Sequence, residues 1–241
     1  AINSPGLLMR SQLLSEGRFT LGLGAGENLN EHVVGHDWPP VDVRHDRLEE
    51  ALAIIRPMLD GETVTFRGRY LSAEGAKLWD LPSTPPPVGV AVSGPASSAL
   101  AGEQADVMIA VEPKADLVER FEGAGGAGKP KVGQLAISYD PDPALARKRA
   151  REQFRWFLGG WDVNAELPGP RHFASASQAV TEEDVAEQLP CGDDVDAVVE
   201  AVREFTDAGF THVALVQIGG DQQLPFFDWA ESDLLPALGQ I

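Results

Sequence analysis

The chain has 241 residues, enough for one substantial core, and its 43% hydrophobic and 23% charged fractions are those of an ordinary globular protein rather than a disordered one. With 37 acidic against 19 basic side chains, the formal charge of -18 opposes binding to nucleic acid or to an anionic membrane surface. Cys191 is the single cysteine, which excludes an intrachain disulfide and a cysteine-rich zinc module; with no apolar run of about 18 residues and no signal-peptide pattern in AINSPGLLMR, a cytoplasmic setting is expected.

In chain order, Leu7, Leu8, Leu13 and Leu14 make a rough helical stripe that stops at Gly17, and residues 19–24 read as a strand. Residues 47–59 carry Leu48, Leu52, Ile55 and Leu59 at helical spacing, with Pro57 cutting into the last turn. ETVTFRGRYLSAEG alternates and turns, the pattern of a small hairpin outside the main rhythm. VGVAVS (88–93), DVMIAV (106–111) and KVGQLAISY (131–139) are three further strands. After a helical region rich in Arg and Trp comes an apolar stripe of Val195, Val198, Val199, Val202 and Phe205, with Asp193 or Asp194 as N-cap and Gly209 past its end. THVALVQI (211–218) is the last strand. Strands of continuous Val, Ile, Ala and Leu alternating with helices are those of a parallel sheet covered on its outside, here within a single domain over 1–241.

FTLGLGAGENLNEH (19–32) ends an apolar run in glycines and a polar cluster. It does not fit a dinucleotide fingerprint: Gly22, Gly24 and Gly26 alternate, and the third glycine of G-x-G-x-x-G would fall on Glu27, a carboxylate that repels phosphate. HVVGH places His32 and His36 four apart, but the glutamate of a zinc-protease helix is missing and Gly35 weakens a helix, so no metal is expected. Ser93, Gly94 and Pro95 end one strand and open a helix; proline at the first helical position with glycine before it leaves free amides at the positive helix end, a phosphate site in form. From the residues alone, Glu27 and Asn30 either serve a site or cap and solvate a loop. His172, in PGPRHFASAS, lies in a segment that reads as a lid or a linker. Gln217 could face a pocket, and Gly219 and Gly220 could admit a ligand; Cys191 reads as packing.

GRFTLGLGAGENLNEHVVG, WPPVDVRHDRLEEAL, AVSGPASSALAGEQADVMIA and the closing CGDDVDAVVEAVREFTDAGFTHVALVQIGGDQQLPFFDWAESDLLPAL together resemble the luciferase-like flavin and deazaflavin oxidoreductases, on the branch of the coenzyme F-420-dependent glucose-6-phosphate dehydrogenases. The resemblance covers nearly the whole chain. It implies a (β/α)8 TIM-type barrel whose site lies at the C-terminal strand ends. The five strands counted here correspond to the fourth through eighth, so the first three have no counterpart, and a fragment is expected, or completion by N-terminal strands or by another copy in a homo-oligomer.

By the same resemblance, Ala25 to Asn30 reach the catalytic rim, Glu27 is the proton donor or relay beside the deazaflavin, and Ala25 and Asn30 contact the cofactor. The Ser93, Gly94 and Pro95 turn holds the phosphodiester tail of coenzyme F-420. Lys114 falls on a position that contacts substrate; Trp38, by its place on the loop after Asn30 rather than by the resemblance, is a candidate substrate contact or a loop-packing residue. The segments that should bring companion cations read VAEQLPC and GDQQLPFF, so a phosphorylated sugar is disfavoured, because a phosphate dianion needs more than one cation to offset its desolvation. The expected activity is F-420-dependent hydride transfer to or from a small-molecule substrate. The alternatives are an FMN-dependent luciferase-like monooxygenase and a non-catalytic partner subunit.

Overall fold

The computed structural model describes residues 11–35 and 37–241, so Leu7 and Leu8 of the expected first stripe, and His36, lie outside the described residues. In chain order the elements are β1 (Leu21–Leu23), α1 (Asn28–Val33), α2 (Val41–Leu59), β2 (Val64–Arg67), β3 (Ser72–Ala76), β4 (Val88–Ala91), α3 (Pro95–Gln104), β5 (Val107–Ala110) and α4 (Ala115–Phe121). There follow β6 (Lys131–Ile137), α5 (Pro143–Phe154), α6 (Gly160–Asn164), α7 (Pro170–Ala176), α8 (Glu182–Ala186), α9 (Val195–Asp207), β7 (His212–Gln217), α10 (Gln223–Trp229) and α11 (Leu235–Leu238). All five expected strands of the main pattern are present, and so is the hairpin, as β2 and β3.

Two compact units share the chain and interleave along it: residues up to Ala25, Pro39–Ile109 and Asp116–Pro130 form the first, and Gly26–Trp38, Ala110–Ala115 and Lys131–Ile241 the second.

In the first unit β4 runs parallel to β1, with Leu21 opposite Val88, and parallel to β5, with Gly89 opposite Val107. Parallel neighbours need long crossovers, which α2 with the hairpin and then α3 supply. Leu52 and Ile54 of α2, Val88 and Val90, Met108 and Phe121 are buried in the core. The helix α2 starts at Val41, earlier than its apolar stripe suggested, and continues two residues past Pro57 because proline in the last turn forfeits little of the hydrogen-bond ladder. At the N-terminal end of the strands Arg56 forks onto Asp106, Nη1 to Oδ2 at 3.1 Å and Nη2 to Oδ1 at 3.0 Å, while Asp106 Oδ2 also accepts from the Val88 amide at 2.9 Å. The hairpin packs on α2 through Val64 against Ile54 and Met58, and one carboxylate pins its turn: Glu50 accepts from the successive backbone amides of Arg69, Tyr70 and Leu71 at 2.6, 2.9 and 2.7 Å.

In the second unit β6 and β7 pair in parallel from Val132 opposite His212 to Ile137 opposite Gln217. The expected helix is α9: the Asp194 carboxylate accepts from the Ala197 amide at 3.2 Å, and Val198, Val202 and Phe205 are buried. Within residues 168–177, read as a lid or a linker, Pro170–Ala176 form the helix α7, which opens on Gly169 with Pro170 as its first residue. Ala150, Val185, Leu189 and Ile218 make a core cluster against which Cys191 packs. Burial pushes the Cys191 thiol up to about 11, in keeping with a packing role. Alternate residues of β7, His212, Ala214 and Val216, are exposed, unlike those of a strand covered on both faces. No helix among the described residues is long and apolar enough to cross a membrane.

Candidate active site

The polar cluster after β1 is a turn followed by a helix rather than a loop throughout. Gly26 adopts φ +86°, a left-handed conformation natural to glycine, and an added Cβ there would lie 3.4 Å from Glu31 Oε1 and 3.7 Å from Trp38 Cζ3. Glu27 is then the N-cap of α1 in extended conformation, and its carbonyl starts the helix by accepting from the amides of Asn30 and Glu31 at 3.0 and 3.1 Å. Its carboxylate makes no capping bond to the helix amides. Instead, Asn30 Nδ2 donates to Glu27 Oε2 at 3.3 Å. The sequence left open whether Glu27 caps a loop; in the structure it has the cap's backbone and withholds the cap's side chain.

A ledge after α6 holds this helix from the same unit. The Asn28 amide donates to Ala165 O at 3.0 Å, Asn28 Nδ2 donates to Glu166 O at 2.9 Å, and Trp38 Nε1 donates to Glu166 Oε2 at 2.6 Å. Asn28 and Glu166 were not singled out by the sequence, which offers no local signal for partners 138 residues apart. His32 is exposed in the last turn of α1, and no group of three or more potential metal ligands occurs among the described residues.

In the first unit, Gly94 is the N-cap of α3, Pro95 its first residue, and Ser93 lies two positions past β4. The amides of Ser93 and Gly94 are not free, as the sequence suggested. Both donate to Ser97 Oγ at 3.2 Å, and Ser97 Oγ in turn donates to Gly94 O at 3.0 Å. The N–H groups of Ala96 and Ser97 stand ahead of the first intrahelical bond, from Ser98 N to Gly94 O at 3.0 Å. A Cβ placed on Gly94 would meet nothing within 4 Å, so there is open space beside the turn. Serine three residues after an N-cap glycine was the legible sign of this closure.

Lys114, in the second unit, is paired with Glu112 at 2.9 Å, an arrangement that offsets its charge locally. Past the ends of β6 and β7 the structure corrects the reading of VQIGG. Gln217 is buried and spans the Tyr139 backbone, accepting from its amide at 2.8 Å and donating to its carbonyl at 3.2 Å. Gly219 faces the Arg149 side chain, which fills the place where a Cβ would stand. Arg149 donates to Asp140 Oδ2 at 2.6 Å and to Tyr139 O at 2.9 Å. Burial works against ionisation of Asp140, but the Arg149 guanidinium and the Asp142 amide outweigh it and hold the carboxyl below its ordinary range. Gln217 and Gly219 are therefore structural supports rather than ligand contacts.

A cavity of about 480 Å³ flanks β7, lined by Val213, Leu215, Phe226, Phe227, Leu235 and other side chains of the second unit. None of the expected site residues lines it, and it contains no carboxylate or lysine.

Residues 11–212 match the model of the luciferase-like monooxygenase family. The F-420-dependent glucose-6-phosphate dehydrogenase of Gordonia bronchialis is 34% identical over 248 residues, covering 93% of this chain and 70% of the relative. That of Mycobacterium tuberculosis is 32% identical over 242 residues, with 93% and 70% covered. Among solved structures, an F-420-dependent secondary alcohol dehydrogenase in complex with an F-420-acetone adduct superposes with a TM-score of 0.84 at 23% identity, over 96% of this chain and 73% of that one. The coenzyme F-420-dependent tetrahydromethanopterin reductase of Methanopyrus kandleri gives 0.71 at 20% identity, over 97% and 78%. The fold is thus that of the F-420-dependent barrel enzymes, and the chain belongs to the luciferase-like monooxygenase family, on the branch of the F-420-dependent glucose-6-phosphate dehydrogenases.

Proposed function

We propose that the protein is an oxidoreductase that moves a hydride between coenzyme F-420 and a small alcohol or carbonyl compound, with Glu27 as proton donor and acceptor. The observation that carries this reading is the Glu27 carboxylate itself, at an N-cap just past the C-terminal end of β1 but making no capping bond and held instead by Asn30 at 3.3 Å. When bound, the deazaflavin supplies a two-electron hydride carrier. Glu27 takes up the hydroxyl proton when an alcohol is oxidised and returns it to the carbonyl oxygen in the reverse direction. Asn30 steadies one carboxylate oxygen, leaving the other for the proton. Ala25, between β1 and the Gly26 turn, is small enough for a flat ring to approach the backbone.

The turn at Ser93, Gly94 and Pro95 supports the tail of the cofactor through the amides of Ala96 and Ser97 and the positive end of α3. Lys114 and Trp38 are assigned to the substrate side. Because Lys114 is engaged by Glu112 at 2.9 Å, a phosphate dianion would have to displace that pair, which favours an unphosphorylated substrate over a sugar phosphate. Titration with coenzyme F-420, followed by its absorbance, is the test: binding should be much tighter than that of FMN. Tight FMN with no deazaflavin binding would replace this reading with the flavin monooxygenase.

A further inference from the structure

We infer that Glu166, acting with Asn28, is a positioning residue that sets the aim of Glu27; the inference rests on the proposed role of Glu27 as acid and base. The short helix α1 has six residues, too few to be stable by its own hydrogen bonds, and none of them is buried. Its orientation therefore depends on what holds its ends. Its first residue is fixed twice, by Asn28 N to Ala165 O at 3.0 Å and Asn28 Nδ2 to Glu166 O at 2.9 Å. Beyond its C-terminus, the chain is fixed again by Trp38 Nε1 to Glu166 Oε2 at 2.6 Å, the short contact of a charge-assisted hydrogen bond.

The ledge is itself braced. Ala165 is buried and its amide donates to Trp161 O at 2.9 Å, the Glu166 amide donates to Val163 O at 3.1 Å, and Asn164 Nδ2 donates to Trp156 O at 3.0 Å. Glu166 thus ties both flanks of the segment that carries Glu27 and Asn30 to one rigid turn. The Trp38 indole also covers the Gly26 turn immediately before Glu27. Rotation or fraying of α1 would carry the Glu27 carboxylate with it, because Glu27 is directly bonded to the residue that the ledge grips. Proton transfer is sensitive to such errors, since a displacement of about 1 Å can cost about 100-fold.

The test compares Glu166→Ala, Glu166→Gln, Trp38→Phe and the double variant Glu166→Ala/Trp38→Phe with Glu27→Gln in the full-length protein. Readouts are kcat, KM, coenzyme F-420 affinity, the solvent isotope effect on kcat and the melting temperature. Glu166→Ala should lower kcat by roughly 10-fold and raise the solvent isotope effect, with KM and cofactor affinity within about twofold of the parent. Glu166→Gln keeps an acceptor for the indole and should restore most of the loss. Trp38→Phe removes the donor and should reproduce the loss in kcat, with a rise in KM of its own because Trp38 also lies on the proposed substrate side, and the kcat of the double variant should be no lower than that of either single change. If Glu166→Ala does not fold, Trp38→Phe carries the same comparison. Parental kcat in Glu166→Ala or Trp38→Phe, a loss confined to KM in Glu166→Ala, or additive losses in kcat overturn the inference. Parental turnover in Glu27→Gln removes the catalytic reading and the inference with it, whereas a collapse in Glu27→Gln beside an unaffected Glu166→Ala removes the inference alone.

Discussion

Asn30 donates to the carboxylate of Glu27, three residues behind it, at 3.3 Å, across the first turn of a helix whose amides that carboxylate does not cap. Glu27→Gln keeps the shape and the hydrogen-bonding reach but cannot transfer a proton. Turnover should fall by about 100-fold or more, the usual scale for general acid-base catalysis, while cofactor affinity survives. Asn30→Ala removes the donor that holds the Glu27 carboxylate, together with the cofactor contact expected of Asn30, so turnover and cofactor affinity should both fall. Deazaflavin titration and steady-state rates separate the two, and a Glu27→Gln enzyme working at the parental rate would reduce the cluster to scaffolding.

Ser97 Oγ takes up the amides of both Ser93 and Gly94. Ser97→Ala should release the Ser93 and Gly94 N–H groups and cost about 1 kcal/mol of stability, the scale of a lost helix cap. The turn then offers more donors but less order, so inorganic phosphate should compete with coenzyme F-420 more effectively than in the parent. Competition titrations and thermal melts read both effects; unchanged phosphate competition would take the turn out of the cofactor site.

Arg149 and Asp140 form a buried ion pair, with side chains only 15% and 6% exposed. Arg149→Met leaves the Asp140 carboxylate without its cation and should destabilise by about 3 kcal/mol. Gly219→Ala should act on the same pair from the other side, since its Cβ would need the space of the Arg149 side chain and its φ is +91°. Urea denaturation of the two single variants and the double variant should give strongly non-additive losses.

Burial opposes ionisation of Asp106, but the Arg56 fork and the Val88 amide prevail and hold its pKa below the ordinary carboxylate value. A depressed pKa in the folded state contributes stability that is present above the unfolded value near ~4 and is lost as pH falls through the folded value. Arg56→Gln should therefore cost about 1 kcal/mol at pH 7, at the low end for a charged hydrogen bond because both side chains are more than one-third exposed. The deficit should shrink as the pH falls below ~4, and denaturant melts across that range would show it.

The strands and the helix α9 were legible because their signals are local: the short apolar runs VGVAV and VMIAV, and an Asp194 cap followed by a stripe at helical spacing. The chemistry of Glu27 was legible as residue type and strand-end position. Its supports were not. Glu166 lies in ELPGP, a stretch with no periodicity, and meets Trp38 across 128 residues, so no window of sequence contains both. Gln217 and Gly219 misled for the opposite reason. Glycines and an amide at a strand end suit ligand contact and backbone bracing equally, and the deciding factor was Arg149, which arrives from α5.

Three successive backbone amides converging on one anion form a receptor for phosphate or carboxylate in many proteins. The turn at Arg69, Tyr70 and Leu71 is such a receptor, and the protein fills it with its own tethered guest, the Glu50 side chain. Tethering raises the local concentration of the guest far above that of any free anion, so the hairpin is insulated from cellular phosphates. The same arrangement makes the hairpin portable. A segment of different length or sequence could replace residues 62–76 and still dock on α2, provided it keeps apolar side chains in the places of Val64, Phe66 and Leu71 against Ile54 and Met58, its turn presents three amides to Glu50, and it keeps a glycine at the position of Gly68, where the Glu50 carboxylate leaves no room for a Cβ.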